Sequence, residues 1–479
     1  EGPVRKDNQK TLLNKPPKNS AETKGTEAGE WEQKDPGLIQ GLNPEQRKAV
    51  KTASRAVIIQ AGPGTGKTRT LTARIAWLVS EKKVSPDSIL ALTFTNKAAG
   101  ELARRIEIFL PKGKKTVMSA TFHAFCLKFL KENTGFKAGL ADDDLRDELV
   151  RKAVEESGVG SGRSLSKREL GKIAYRAGLF IARCKQQLCG PETAFEVFQD
   201  SLAKGRFKEV LGDEDDLEIF VSIYRAYQKC CAGSGLVDYE DLIFLCHKNL
   251  SHDPDLLDRI HSRFQYVFVD EYQDLNFGQY ELVRLLVRQG NLLVIGDPDQ
   301  SIYGFRGSDH RFFSRFEEDY PGCETIRLKR NYRSTQTILD ASCQMISRPD
   351  KSGEKRKIIS DQETGQKLII KETPSETAEA VAAGKMIEDL MGGLSFYAMD
   401  ARTGSGQGDK KEYSFSDFAV LYRTRKQCQA FADVFQKEGI PFQTADKEEE
   451  LAMEGIREVI AGLKVLTGRS GARDIDILK

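Results

Sequence analysis

RAVIIQAGPGTGKTRTLTARIAWLV, residues 55–79, passes from an apolar run through a glycine-rich turn into a stretch with helical periodicity. An all-apolar run of this length reads as a buried strand, and the amphipathic run after it as a helix. Between them, AGPGTGKT at 61–68 follows the phosphate-loop pattern that ends in G-K-[ST]. Gly62, Gly64 and Gly66 let the backbone curl so that its N–H groups face phosphate oxygens, with Pro63 and Thr65 in the same nucleotide-binding turn, and the helix N-terminus adds its positive end. Lys67 is placed for the β/γ-phosphates and Thr68 for Mg²⁺. The competing reading is a glycine-rich turn with no ligand.

Three more apolar runs share the character of the first: SILALTF at 88–94, QYVFVDE at 265–271 and NLLVIGD at 291–297. Strands that are apolar throughout and separated by helical stretches predict a parallel sheet covered on both faces. The fold class is therefore α/β. A long stretch at 131–235, with helical periodicity in DDDLRDELVRKAVEE and LEIFVSIYRAYQKC, reads as a helical subdomain inserted into the first α/β domain, which is assigned residues 37–130 and 236–324. The pattern restarts with TIRLKR, KLIIKE and DFAVLYRT, so 325–479 is expected to be a second α/β domain, incomplete at its C-terminus. Within it, ARTGSGQGDKKE at 401–412 reads as a mobile loop. Residues 1–36, poor in apolar side chains, read as a disordered tail or linker.

The totals narrow the class without choosing a function. The 479 residues are 39% hydrophobic and 30% charged, which suits a globular chain of about three domains. No run of 18 apolar residues occurs, so no membrane span is expected. A formal charge of +2 means that any basic surface must be local. Nine scattered cysteines without a C-x-x-C pair favour reduced thiols over a metal site, and cytoplasm is the default compartment. A monomer is the default state.

The run VFVDEYQD at 267–274 ends a strand in two acids beside the phosphate loop. Asp270 at that edge is suited to Mg²⁺ and Glu271 to orienting and deprotonating an attacking water. A solvated acid pair capping a strand is the alternative. Gln46, in GLNPEQRKAV just before the first strand, carries an amide that can donate to and accept from an adenine edge; alone it reads as a helix-surface glutamine.

Together LNPEQRKAV, AGPGTGKT, LALTFTNKAAGEL, ATFHAFCLKFL, VDEYQDLN, IGDPDQSIYGFRGSD, LKRNYRST and DFAVLYRT, in this order, resemble the superfamily 1A DNA helicases of the UvrD, Rep and PcrA type. The resemblance covers about 41–445. It implies two RecA-like domains with ATP bound between them, single-stranded DNA across their top, unwinding of partly duplex DNA and 3′→5′ movement, in DNA repair or replication restart. It further implies that Gln300 senses the γ-phosphate while Asp297 and Asp299 shape that edge. Tyr303 and Phe305 would offer rings to bases and Arg306 would support the strand; such stacking contributes on the order of 1–3 kcal/mol per base. Many relatives have Trp where this chain has Phe305.

By the same resemblance, Phe94 is the base contact of TFTNKAAG, with Thr93, Thr95, Asn96 and Lys97 reaching backbone or phosphate. TFHAF at 121–125 would add base- or backbone-facing contacts; the competing reading makes Phe94 and Phe122 core residues, and His123, which alone reads as structural, is assigned to DNA or coupling. Tyr332 would stack on adenine, and Arg333 would act as an arginine finger across the cleft. Arg69 is expected near the nucleotide, and Arg423 at an exposed strand end. Asp238, Tyr239 and Asp241 in VDYEDL are read as closing the helical insertion structurally.

The family's later motifs, T-x-H-x-x-K-G-L-E and the V-x-x-T-R arginine motif, have no match here, so an N-terminal part of a helicase is expected. Two other functions compete: the motor part of a helicase–nuclease subunit, and a nucleotide-switched DNA-binding module without productive turnover. The joint presence of Lys67, Asp270, Glu271, Gln300 and Arg333 argues against the second, since binding alone does not need all five.

Overall fold

In the computed structural model, residues 39–110, 116–159, 166–203, 214–287, 291–304, 307–346, 358–362, 365–391, 413–444 and 454–466 are described. The four apolar runs form the heart of a six-stranded parallel sheet. Its strands are β1 (Ala56–Ala61), β2 (Ile89–Thr93), β3 (Met118–Thr121), β6 (Tyr266–Val269), β7 (Asn291–Gly296) and β8 (Glu324–Leu328), in spatial order β3-β2-β6-β7-β1-β8. β1 lies between β7 and β8, with Ile58 opposite Val294 on one side and Thr325 on the other. Both faces are apolar. Ile58, Leu90, Leu92, Val267 and Val294 pack one way, and Val57, Ile59, Phe268, Leu293 and Ile326 the other, which is why the strands alternate so little.

One expected boundary moves. TIRLKR was assigned to the second domain, but β8 hydrogen-bonds to β1 in parallel and completes the first sheet. Ile326 and Leu328, both buried, enter the same core as Ile59 and Ala61, so burial holds the strand there.

The insertion begins and ends on a two-strand ladder, β4 (Gly139–Leu140) beside β5 (Leu236–Val237). Between these strands lie the helices Asp143–Glu156, Lys167–Gln186, Ala194–Ala203 and Glu214–Ser234. They bury a core of their own, built on Phe180, Phe198, Phe220 and Tyr224. A buried ionic cluster ties this unit to the helix Tyr239–His252. Lys185 Nζ lies 2.7 Å from both Asp238 Oδ2 and Asp241 Oδ1, and the Tyr227 hydroxyl donates to Asp238 at 2.8 Å. Burial alone would lower the Lys185 pKa, but the two carboxylates outweigh it and raise it. Asp238 and Asp241 thus sit where the VDYEDL segment closes the insertion.

Past β8, β9 (Arg330–Asn331) pairs with β10 (Ile359–Ser360). The helices Glu376–Leu390 and Arg425–Lys437 share a small core of Ala380, Ile387, Val434, Phe435 and Ile440. KLIIKE and DFAVLYRT were expected as strands. Among the described residues they pair with nothing, and Ile370 and Leu421 are 97% and 94% exposed. An apolar run becomes a strand only where a neighbour supplies its hydrogen bonds. The loop expected at 401–412 lies outside the described residues. No helix among the described residues is long and apolar enough to cross a membrane.

Candidate nucleotide and nucleic-acid site

At the carboxyl ends of β1, β6 and β7, three loops meet. The first is the phosphate loop, and it feeds directly into the helix Lys67–Ser80. Its turn is closed by Thr65, whose hydroxyl donates to Gly62 O at 2.7 Å. Gly64 needs to be glycine on two counts: its φ is +68°, and a Cβ there would come within 2.6 Å of Arg333 Cβ.

The second loop follows β6. Asp270 is buried, and burial followed by the neighbouring Glu271 charge pushes its pKa up to about 6. Glu271 adopts a left-handed backbone, φ 48° and ψ 44°, a conformation costly for a residue with a side chain and typical of functional sites. That turn aims its carboxylate at the phosphate loop, where Oε2 lies 3.1 Å from Lys67 Nζ.

Gln273, 1% exposed, organises this corner. Its Nε2 donates to Glu271 Oε2 at 3.0 Å and Asp274 Oδ2 at 3.1 Å, while its Oε1 accepts from the Asp297 N–H at 2.9 Å. Three of the four hydrogen-bonding capacities of the amide are used. Sequence reasoning gave Gln273 no role. The available signal was an uncharged polar residue sandwiched in an acidic strand end. Burial, then the charge of Glu271, likewise raises Asp274 to about 6.

The third loop follows β7. Gln300 Nε2 donates to Asp297 Oδ2 at 2.8 Å, and Asp297 is buried. Three residues further on, the Tyr303 ring stacks on Phe94, with centroids 6.2 Å apart and planes 17° from parallel. Phe94 itself follows the end of β2. Thr95, Asn96 and Lys97 are exposed at the start of the helix Asn96–Glu107, with the Thr95 hydroxyl accepting from the Ala98 N–H at 3.1 Å. Thr93 is buried at the strand end. Phe305 and Arg306 lie outside the described residues.

The two remaining candidates of this edge point inward. Phe122 is 1% exposed and belongs to the main core, which decides between its two readings. His123 stands edge-on to Tyr239 with ring centroids 6.1 Å apart, its Nε2 is buried without a hydrogen bond, and burial lowers its pKa.

The segment 331–333 lies directly on the phosphate loop. The Tyr332 N–H donates to Gly64 O at 2.8 Å, and Asn331 Nδ2 donates to Pro63 O. The Asn331 Oδ1 accepts from the N–H groups of Arg333 and Ser334, each at 2.8 Å, and so shapes the turn that carries Arg333. The Tyr332 hydroxyl accepts from Asn43 Nδ2 at 2.9 Å. Gln46 is fully buried, not on a helix surface. Its Oε1 accepts from the Asn43 N–H and its Nε2 donates to Thr65 O at 3.0 Å, so it ties helix Pro44–Lys51 to the phosphate loop. Arg69 Nη2 donates to Gly41 O at 2.8 Å. Arg423 is exposed. Asn43 and Asn331 are two further site residues that sequence reasoning passed over.

Beside this junction a cleft of about 590 Å³ opens between Pro63, Asp297, Asp299 and Gln300 on one side and Ser334, Ile338 and Ile358 on the other.

Two family descriptions match the chain: the UvrD/REP helicase N-terminal domain over residues 42–321 and the UvrD-like helicase C-terminal domain over 326–473. Similar curated proteins include the ATP-dependent DNA helicase PcrA of Staphylococcus epidermidis, 32% identical over 435 residues, and that of Staphylococcus aureus, 31% identical over 438. Each alignment covers 90% of this chain and 54% of the relative, so the chain spans about half the length of the curated relatives it matches. The α/β chain, with its phosphate loop on a parallel sheet, belongs to the UvrD/REP family of helicases.

Proposed function

We propose that this chain is the ATP-hydrolysing part of a DNA helicase that moves 3′→5′ along single-stranded DNA and unwinds partly duplex DNA, in repair or replication restart in the cytoplasm. One observation carries this reading. A single short loop joins the phosphate edge, Asp297 and Gln300, to the ring pair Tyr303–Phe94. A change at the phosphate edge is thereby transmitted to a surface on which bases stack.

In this reading the glycine cradle and Lys67 hold the phosphates of ATP. Glu271, once Lys67 turns to the nucleotide, accepts the proton of the attacking water, and Gln273 keeps its carboxylate aimed. Gln300 reports the γ-phosphate to the Tyr303 loop. Arg333, exposed beside Gly64, stabilises charge on the transferring phosphoryl group when the cleft closes. Tyr332, with Asn43 and Gln46 behind it, flanks the position expected for the base.

Thr68 and Asp270 would hold Mg²⁺. The fit is favourable because Asp270 is a buried carboxylate whose anion is poorly supported by protein donors, so a cation would relieve it. Bound there, the ion would neutralise charge on the β- and γ-phosphates. The polar contacts to DNA come from Thr95, Asn96 and Lys97, and Phe305 and Arg306 are further DNA contacts by resemblance.

ATP hydrolysis by the chain with and without single-stranded DNA, beside Lys67→Ala and Glu271→Gln, tests the proposal. Strong stimulation by DNA that both substitutions remove is expected. Hydrolysis indifferent to DNA, with nucleotide and DNA both bound, would overturn coupling within this chain. Duplexes tailed at the 3′ or the 5′ end report the direction of movement.

A further inference from the structure

The last turn of the insertion's helix Lys167–Gln186 reaches out of its own subdomain and touches the loop that carries Tyr303. Arg183 Nη2 donates to Gly304 O at 3.4 Å, and Arg183 Nη1 donates to Gln186 Oε1 at 3.0 Å. Gln186 Nε2 in turn donates to Glu240 Oε1 at 3.0 Å, on the neighbouring helix Tyr239–His252. The approach to the loop is close. Gly307 has φ +93°, and a Cβ there would stand 2.3 Å from both Arg183 Nη1 and Gln186 Oε1.

The same turn is anchored to the neighbouring helix Tyr239–His252 by buried ion pairs. Lys185, between Arg183 and Gln186 in sequence, is wholly buried in its ion pairs with Asp238 and Asp241. On the other side, the Gly307 N–H donates to Gly304 O at 2.9 Å and the Ser308 N–H to Tyr303 O at 3.3 Å, so the described residues on which the turn presses are also bonded to each other.

We propose that Arg183 and Gln186 are positioning residues: the inserted subdomain uses them to fix Gly304 and Gly307 and with them the Tyr303 ring against Phe94. The consequence for DNA rests on the reading above, in which that ring faces a base. The consequence for the loop does not. The insertion then acts as the support for the coupling loop, and a shift of the whole subdomain changes how that loop meets the strand.

The experiment uses the full chain and its Gln186→Ala and Arg183→Ala variants, with Ile181→Ala as a control that weakens the insertion's core without touching the network. Hydrogen exchange at the Gly307 and Ser308 amides is measured first, without DNA. An increase of about tenfold is expected in the two network variants, and little change in the control. ATPase titrations with oligo-dT are then expected to need several-fold more DNA for half-maximal stimulation, with the basal rate unchanged. Loop exchange equal to that of the unsubstituted chain, or raised equally by Ile181→Ala, would overturn the proposal. Faster loop exchange in a chain that DNA does not stimulate would uphold the positioning and instead remove the base-facing role of Tyr303.

Discussion

Lys67 Nζ lies 3.1 Å from Glu271 Oε2, and Gln273 donates to that same oxygen from 3.0 Å. The cation proposed for the phosphates and the proposed base therefore hold each other. The pair is partly exposed, with Lys67 at 13% and Glu271 at 35%, so its contribution to stability is about 1 kcal/mol or less. Its loss should show in nucleotide handling and not in stability. Glu271→Gln is expected to lower ATP turnover by about 10²–10⁴-fold while nucleotide still binds. Lys67→Ala should lose binding and turnover together. Equilibrium titration with a fluorescent ATP analogue beside steady-state hydrolysis separates the two.

Gln273 bridges Glu271, Asp274 and the Asp297 N–H, and its loss would leave buried groups without partners. In Gln273→Ala the Asp297 N–H loses its acceptor, and Glu271 and Asp274 lose a shared donor. A buried group left unsatisfied costs about 1–3 kcal/mol. Urea unfolding should report a loss in that range. Turnover should also fall, because Glu271 would no longer be aimed. Retained turnover with the same loss of stability would make Gln273 a purely structural residue.

Asp270 shows the opposite balance. Its pKa, raised to about 6, exceeds the ordinary carboxylate value of 3.8. A raised carboxyl pKa penalises the folded state above that value, and the penalty disappears as pH falls from about 6 towards 4. A shift of about two units corresponds to roughly 3 kcal/mol. Asp270→Asn removes the charge and keeps an acceptor for the Glu271 N–H. The metal-free variant should therefore melt higher than the unsubstituted chain at pH 8. The difference should shrink as pH falls through 6, and the variant should be inactive throughout. Thermal melts across pH 5–8 without Mg²⁺ check the sign.

Four strands of the first sheet, β1, β2, β6 and β7, were legible because each is apolar on both faces, as Val267–Val269 is before it ends in Asp270–Glu271, whereas β3, Met118–Thr121, is too short and polar to stand out. β8 was harder. TIRL reads like any apolar run, and only its hydrogen bonds to β1 decide which sheet it joins. KLIIKE failed for the converse reason: strand propensity was present, but no partner strand lies beside it among the described residues. In the site, the groups proposed to act through charge stand out by motif spacing. The groups that hold them, Gln273, Asn331 and Asn43, are neutral amides. Their role depends on which backbone groups come near in space, which no spacing reveals. Gln46 combined both cases, since its amide was noticed but the bond it makes to Thr65 O depends on the fold.

Tyr303 stacked on Phe94 gives a surface of two rings in place of one. Removing either should weaken a base contact by about 1–3 kcal/mol, or roughly 5- to 150-fold in affinity. Tyr303→Ala and Phe94→Ala are both expected to raise the oligo-dT concentration needed to stimulate hydrolysis, leaving the basal rate within twofold. Phe305→Ala should behave likewise. The double variant Tyr303→Ala/Phe94→Ala should lose less than the sum of the singles, because the rings contact each other. Simple additivity would mean that the two rings meet DNA independently.

The cluster of Lys185, Asp238 and Asp241 permits a last distinction, between attachment of the insertion and folding of its core. Lys185 is wholly buried, and truncating it would leave two buried carboxylates without their cation. Such a loss costs about 3–5 kcal/mol, whereas replacing all the charges with apolar groups can be neutral. Lys185→Ala should therefore be far more damaging than the triple change Lys185→Met/Asp238→Leu/Asp241→Leu, even though the triple removes more polar contacts. The Asp238 and Asp241 side chains also cap the helix Tyr239–His252 reciprocally, and the triple variant loses that capping box, at about 1 kcal/mol. Urea unfolding of both variants, followed by circular dichroism, reads the order. A triple variant less stable than Lys185→Ala would mean that the charges are worth keeping as a set, and that the insertion is held to the first domain by a net favourable ionic bond.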